Sequence, residues 1–272
     1  MRVFPVQANY YQQFDADFNL DIPGEGYGGW KRGMINLSLD HTAVVVMHAW
    51  DCGKREQYPG WHRAVEYIPR ANEICHTIFP RLLAAVRQSD LKLFHVVSNG
   101  EYYKKYSGYH RATQSTQNPP HTFEKIDSDP VLENLRKFRT ENVFVGSHNS
   151  SDVRCGFENL DFPEAAKPIG NEGIAENSDQ LFALCQADGV NHLIYAGFAI
   201  NWCLLLSPGG MAEIHKRGIM CSAFRQAVTA VENKETARDE TCKEIALWRV
   251  ALAYGFVFDV DDFISGCSNY AR

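Results

Sequence analysis

"NHLIYAGFAINWCLLLS" occupies residues 191–207. Its first seven residues are a β-prone apolar run ending in Gly197. The stretch then passes a polar Asn201 and continues through Cys203, Leu204, Leu205 and Leu206 as a helix start. A strand that runs through a glycine into a helix is the repeating unit of an α/β sheet, and the alternation continues on both sides. Upstream, "TAVVVMH" (42–48) has the unbroken β-branched character of a strand buried on both faces. Ile74, Ile78, Phe79, Leu82, Leu83 and Val86 recur at helical spacing, with Pro80 kinking or restarting the helix. "LKLFHVV" (91–97) reads as a second strand and "NVFVG" (142–146) as a third. "SDQLFALCQADG" (178–189) is a helix capped by Ser178 and stopped at Gly189, and 191–197 is the fourth strand. Downstream come a helix over 202–217 broken at "SPGG" (207–210), a strand "GIMCSA" (218–223), a helix over 236–254 and a last strand "GFVFDV" (255–260).

This pattern predicts one three-layer α/β/α domain over residues 41–272, with a six-stranded, mostly parallel sheet. Residues 1–40, rich in aromatics, Asp and Gly and without a clean period, read as an arm laid over it. Within the arm, "GEGYGG" (24–29) matches G-x-G-x-x-G, but it precedes the first strand instead of following it, so it reads as a loop.

The 272 residues suffice for a substantial core, and 45% hydrophobic with 22% charged residues is an ordinary globular balance. A formal net charge of −6 gives no general attraction to nucleic acid or anionic membrane. The N-terminus lacks the apolar stretch of a signal peptide, and no run approaches a membrane span, so a cytoplasmic protein is expected. The eight cysteines include no C-x-x-C pair, which argues against a zinc knuckle and, with the leader absent, for reduced thiols. The sequons at Asn36 and Asn149 then carry no meaning.

Ligands of such sheets sit beyond the carboxyl ends of the strands. Cys203 lies there, just past the fourth strand. With Asn201 as N-cap it would stand near N2, where the helix dipole favours thiolate and the backbone N–H is an orphan donor. Position, dipole and free amide suit a nucleophile beside an oxyanion site. The bland alternative is a buried thiol acting as a small hydrophobe.

"GVNHLIYAGFAINWCLL" followed by "KRGIMCSAFRQAVTAVENKET" resembles the isochorismatase-like cysteine hydrolases, a family that includes nicotinamidases, N-carbamoyl amino acid amidohydrolases and isochorismatases. Their motif, roughly G-[VIF]-A-T-[ND]-x-C, corresponds to Gly197 through Cys203. The resemblance spans residues 40–265 in strand order and is specific around 190–235. It implies a sheet of order 3-2-1-4-5-6, Cys203 as nucleophile and a cis peptide bond between Phe198 and Ala199. It also implies an oxyanion site built from the N–H groups of Ala199 and Cys203, and Lys167 of "AAKPIG" as the family lysine.

The family places an Asp at the end of the first strand. In "AVVVMHAWDCG" that position holds His48, with Trp50 where a Gln often stands and Asp51 three residues on. Histidine can relay protons at neutral pH, and Asp51 could reach back to orient it. His48 is then expected near the sulfur, with Lys167 setting the thiol pKa. Trp50, Asn99 and Glu172 complete the candidate set as substrate contacts. The family's metal-binding members carry D-x-H after the second strand; "HVVSNGEYYKKYSGYHR" has none, so no metal and no other cofactor is expected, which argues against nicotinamide as substrate. The tyrosines of that loop (Tyr102, Tyr103, Tyr106, Tyr109) could stack on nucleic acid, but the acidic chain favours a substrate or subunit wall. "GNEG" (170–173), which holds Glu172, and Glu232 are polar features near the expected site, read either as substrate contacts or as structural.

The expected function is a cysteine hydrolase cleaving a C–N bond of a small amide or ureido substrate through a thioester, with a small molecule as its partner, in a homo-oligomer, and with neither nucleic acid nor membrane. One alternative is a binding protein that has lost the Asp relay. A vinyl-ether hydrolase is the other, and it suffers from the missing Asp.

Overall fold

The computed structural model describes residues 2–116, 125–268 and 270. In chain order its elements are β1 (Val3–Gln12), β2 (Gly29–Ser38), β3 (Thr42–Met47), α1 (Pro59–Ala64), α2 (Ile68–Thr77), α3 (Phe79–Gln88) and β4 (Lys92–Val96). Then follow α4 (Ser107–Ser115), α5 (Pro130–Asn142), α6 (Ser150–Glu158), β5 (Gly173–Ala175), α7 (Ser178–Asp188), β6 (His192–Phe198) and α8 (Cys203–Leu206). The chain closes with α9 (Met211–His215), β7 (Met220–Thr229), α10 (Thr241–Ala253), β8 (Val257–Phe258) and α11 (Val260–Ser268).

The sheet has eight strands in the order β2-β1-β8-β7-β6-β3-β4-β5, not six. Six of them, β5-β4-β3-β6-β7-β8, are parallel and run in the expected 3-2-1-4-5-6 sense. The other two come from the N-terminal stretch. β1 and β2 pair antiparallel over their full ten residues, and β1 meets β8 at Asn9↔Val257. Phe4, Val6 and Ala8 are buried with the period of two that a half-buried strand requires, and "GEGYGG" lies in the connection between the two strands up to Gly29, which opens β2. Pro5 inside the run and the adjacent Tyr10 and Tyr11 after it obscure that period in the sequence.

The third strand is also corrected. Residues 142–146 are the end of α5 and the turn after it, with Val143 and Phe144 exposed and Gly146 in the left-handed region at φ 82°. The sheet edge is instead β5, three buried residues too short to show any period.

Both faces are covered. Along β3, Val44 and Val46 pack with α2, α3 and α11, while Ala43, Val45 and Met47 pack with α7, α9 and α10, which makes β3 the fully buried strand its composition demands. The helix break at "SPGG" separates α8 from α9, where the hydroxyl of buried Tyr195 donates to the Gly209 carbonyl (2.9 Å).

At the carboxyl ends, β3 and β6 approach closely at Met47↔Gly197. A Cβ on Gly197, at φ 121°, would lie 1.9 Å from the Met47 carbonyl oxygen, so only glycine fits. That contact brings the segment after β3, which carries His48, beside the segment after β6, which carries Cys203.

Candidate active site

Three strand ends deliver polar groups to one cavity of about 360 Å³: His48 and Trp50 from β3, Ser98 and Asn99 from β4, Cys203 and Ser207 from the region after β6. Helices close the other side, with Trp61 and Val65 from α1 and its end, Ile68 and Ala71 from α2, and Val153 and Phe157 from α6. Tyr67, Phe144, Phe198 and Cys52 complete the lining.

His48 has a left-handed backbone at φ 49°, unusual for a residue with a Cβ, and its N–H donates to the Val96 carbonyl (2.9 Å). Its ring is buried and stacks on Trp50, while Nδ1 has no hydrogen-bond partner among the described residues. Burial lowers its pKa to about 4, so the imidazole is neutral at pH 7. Trp50 in turn donates from its indole N–H to the Tyr102 hydroxyl (3.0 Å). The tyrosine loop thus acts as support behind the cavity wall, with Tyr102, Tyr103 and Tyr106 packed around or near Phe162 in the interior.

Cys203 is half-buried and is the first residue of α8. The N-cap is Trp202, not Asn201. Asn201 instead clamps the segment after β7: its Nδ2 donates to the Val231 carbonyl (2.8 Å) and its Oδ1 accepts from the Val231 N–H (2.9 Å). The Phe198–Ala199 peptide bond is cis. The Ala199 carbonyl accepts from the N–H groups of Trp202 and Leu204, and the N–H groups of Ala199 and Cys203 find no acceptor among the described residues. Cys52, in the same cavity, is no rival nucleophile, because burial pushes its thiol up to about 12.

The structure therefore brings Cys203, His48, Trp50 and Asn99 together, and it leaves three expected residues outside. Asp51 makes no hydrogen bond to His48 among the described residues: its Oδ1 accepts from the Gly53 N–H (3.0 Å) in a local turn, and it lines a second cavity that shares Trp50 with the first. Lys167 follows the turn Glu164–Ala166, and its exposed ammonium pairs with Glu164 (2.6 Å). Glu172 is half-buried outside this cavity, accepting from Arg87 (2.7 and 3.0 Å) and His95 (2.9 Å). Burial alone would raise its pKa, but those hydrogen bonds more than offset this and hold it at about 2. Glu232 is structural: its carboxylate caps α10, accepting from the N–H groups of Cys242 (3.0 Å) and Lys243 (2.9 Å). No hydrogen bond joins His48 to Cys203 among the described residues. No cluster of His, Cys, Asp and Glu suited to a metal occurs among them either.

Sequence reasoning missed Trp61, Tyr67, Phe157 and Ser207. They come from four separate segments, and no local pattern distinguishes them from ordinary core or helix-end residues.

No known family model and no curated protein matches the chain. Among solved structures it is similar to isochorismatase-family cysteine hydrolases. One is a cysteine hydrolase from Pseudomonas syringae pv. phaseolicola 1448A, at 14% identity over 86% of this chain and 95% of that one, with a TM-score of 0.48. Another is an isochorismatase family protein from Burkholderia thailandensis, at 13% identity over 85% and 97%, TM-score 0.46. A third is N-carbamoylsarcosine amidase from Thermoplasma acidophilum, at 14% identity over 81% and 97%, TM-score 0.42.

Proposed function

We propose that the chain is a cysteine hydrolase that cleaves a C–N bond of a small amide or ureido compound, with Cys203 as nucleophile and His48 as proton relay. The observation that carries it is the shared cavity: a half-buried thiol at a helix start and a neutral imidazole line the same small space. Neutral imidazole is the form that can accept a proton.

The sulfur of Cys203 attacks the substrate carbonyl while His48 takes the thiol proton. The tetrahedral oxyanion is held by the N–H groups of Ala199 and Cys203, which have no acceptor among the described residues. The C–N bond then breaks as His48 returns the proton to the leaving nitrogen, which leaves a thioester on Cys203. His48 next draws a proton from water, the hydroxide attacks the thioester, and the acid departs as the proton passes to sulfur. Asp51 and Lys167 have no part in this scheme, which is a dyad.

Incubation with a panel of primary amides and ureas tests it. Ammonia release lost in Cys203→Ala, together with a mass-trapped acyl adduct on Cys203, is the expected result. Absence of turnover and of any adduct would remove the proposal. The rival, a binding protein, draws on the missing hydrogen bond between His48 and Cys203. Alkylation of Cys203 by iodoacetamide at pH 7 separates the two: a rate that His48→Ala leaves unchanged favours binding alone.

A further inference from the structure

The cavity that holds Cys203 is walled by rings. Trp50 and Phe157 meet edge to face at 5.7 Å, and Phe157 and Trp61 are 5.2 Å apart, so three aromatic side chains form one continuous surface. Val65, Val153 and Phe198 extend it. The polar lining consists of the hydroxyl residues Tyr67, Ser98 and Ser207, the amide of Asn99 and the thiols of Cys52 and Cys203, with His48 as a neutral imidazole. Nearby charges are turned elsewhere. Asp152 accepts from the Gly60 N–H (2.6 Å), Arg63 donates to Asn149 (3.1 Å) and Arg70 pairs with Glu66 (2.9 Å).

We infer that this cavity selects an uncharged substrate whose acyl or ureido group carries an apolar, ring-sized substituent, and that it rejects substrates bearing a carboxylate or an ammonium. The inference rests on the reading of Cys203 as the nucleophile of this cavity. An ion entering such a lining sheds its hydration without gaining a counter-charge, which is the costliest form of burial. A carboxylate would face indole and phenyl rings whose π faces are themselves negative. A cation would find ring faces attractive, but no carboxylate lines the described walls to replace the hydration it sheds. A planar neutral group instead gains apolar burial against Trp61 and Phe157, and its carbonyl and nitrogen can use the hydroxyl and amide groups. At about 360 Å³ the cavity stands at the small end of ligand sites, consistent with a single ring and its functional group.

The test is binding of three probes of one shape and different charge, benzyl alcohol, benzoate and benzylammonium, read by tryptophan fluorescence and calorimetry on the wild-type chain. Benzyl alcohol is expected to bind at least tenfold more tightly than either ion. Val153→Lys, which sets an ammonium on the wall, is expected to raise benzoate affinity at least tenfold over wild type. Equal or tighter binding of benzoate or benzylammonium overturns the inference, even if amides are hydrolysed. Failure of all three to bind at millimolar concentration overturns it too. Neutral preference supports it whether or not benzamide is cleaved; lack of cleavage across amides and ureas would count against the hydrolase alone.

Discussion

The imidazole of His48 lies stacked on the indole of Trp50, with ring centroids 5.2 Å apart and planes 16° from parallel. No carboxylate orients that ring, since Nδ1 has no partner among the described residues, so packing against Trp50 does the orienting. Trp50 is itself fixed by its hydrogen bond to Tyr102 and its edge contact with Phe157. If His48 is the relay, His48→Ala should lower kcat by on the order of 10²–10⁴, the usual worth of general acid–base catalysis. Trp50→Ala should lower it roughly 10-fold to 100-fold through a misplaced ring, while Trp50→Phe retains most of the rate. Steady-state kinetics on an amide substrate check this, and an unaltered kcat in His48→Ala would assign the relay elsewhere.

Stability should fall on mild acidification. Burial lowers the pKa of both His48 and His192 to about 4, below the ordinary 6.5. A histidine with a depressed folded pKa binds its proton more readily when unfolded. Its contribution is therefore complete above pH 6.5 and is lost as pH falls through the window from 6.5 to about 4. By linkage each could remove up to about 3 kcal/mol across that window. Urea unfolding at pH 7 and pH 5 measures the loss, and His48→Gln should flatten the slope between them. A denaturation midpoint that does not move between those pH values would show that neither ring is held neutral.

The parts of this fold legible in the sequence are those where burial on both faces writes a continuous apolar run, as in β3, β4 and β6. The β5 edge and the N-terminal strands were not legible. β5 is three residues long, and in β1 the alternation is interrupted by Pro5 and by the adjacent Tyr10 and Tyr11. At the site, Cys203 could be placed because a strand end and a helix start flank it. Lys167 and Glu172 do not line the Cys203 cavity, because sequence spacing gives distance along the chain but not the direction of a turn. The aromatic wall left no local trace, since Trp50, Trp61 and Phe157 come from three segments that only the closed fold unites.

Lys167 should be dispensable for the reactivity of the thiol. Its ammonium sits at the surface with Glu164 and does not line the cavity of Cys203. Lys167→Ala is expected to leave the rate of Cys203 alkylation by iodoacetamide unchanged at every pH. A fall of about tenfold or more, the size of effect a direct charge on a thiol exerts, would show that the lysine turns inward in solution.

Glu172 should matter for the fold and not for the chemistry. It is the shared acceptor of Arg87 and of fully buried His95. Glu172→Ala leaves the guanidinium half-buried without its counter-charge, a loss of about 3 kcal/mol. Thermal unfolding should therefore drop by several degrees. Alkylation of Cys203 in the folded variant should match wild type. A selective loss of Cys203 reactivity at unchanged stability would return Glu172 to the site.

Gly156 sets the position of the cavity wall. It lies within α6, and a Cβ there would stand 2.1 Å from Cε3 of Trp61, a ring only 2% exposed. Two effects oppose each other in Gly156→Ala. Alanine gains about 1 kcal/mol of helix propensity over glycine. Overpacking against a buried ring costs about 1–3 kcal/mol, and more where the ring cannot yield. Trp61 is confined by Tyr58 at 6.1 Å and Phe157 at 5.2 Å, so it has little room and the clash should win. The variant is expected to lose about 1–2 kcal/mol of stability by urea unfolding. Its near-ultraviolet circular dichroism should change as the indole shifts, and a neutral ring ligand should bind more weakly as the wall is displaced into the cavity. A Gly156→Ala chain that melts higher than wild type with an unchanged aromatic spectrum would mean that α6 moves away from Trp61 at no cost, and the wall would then not be the rigid element on which substrate selection depends.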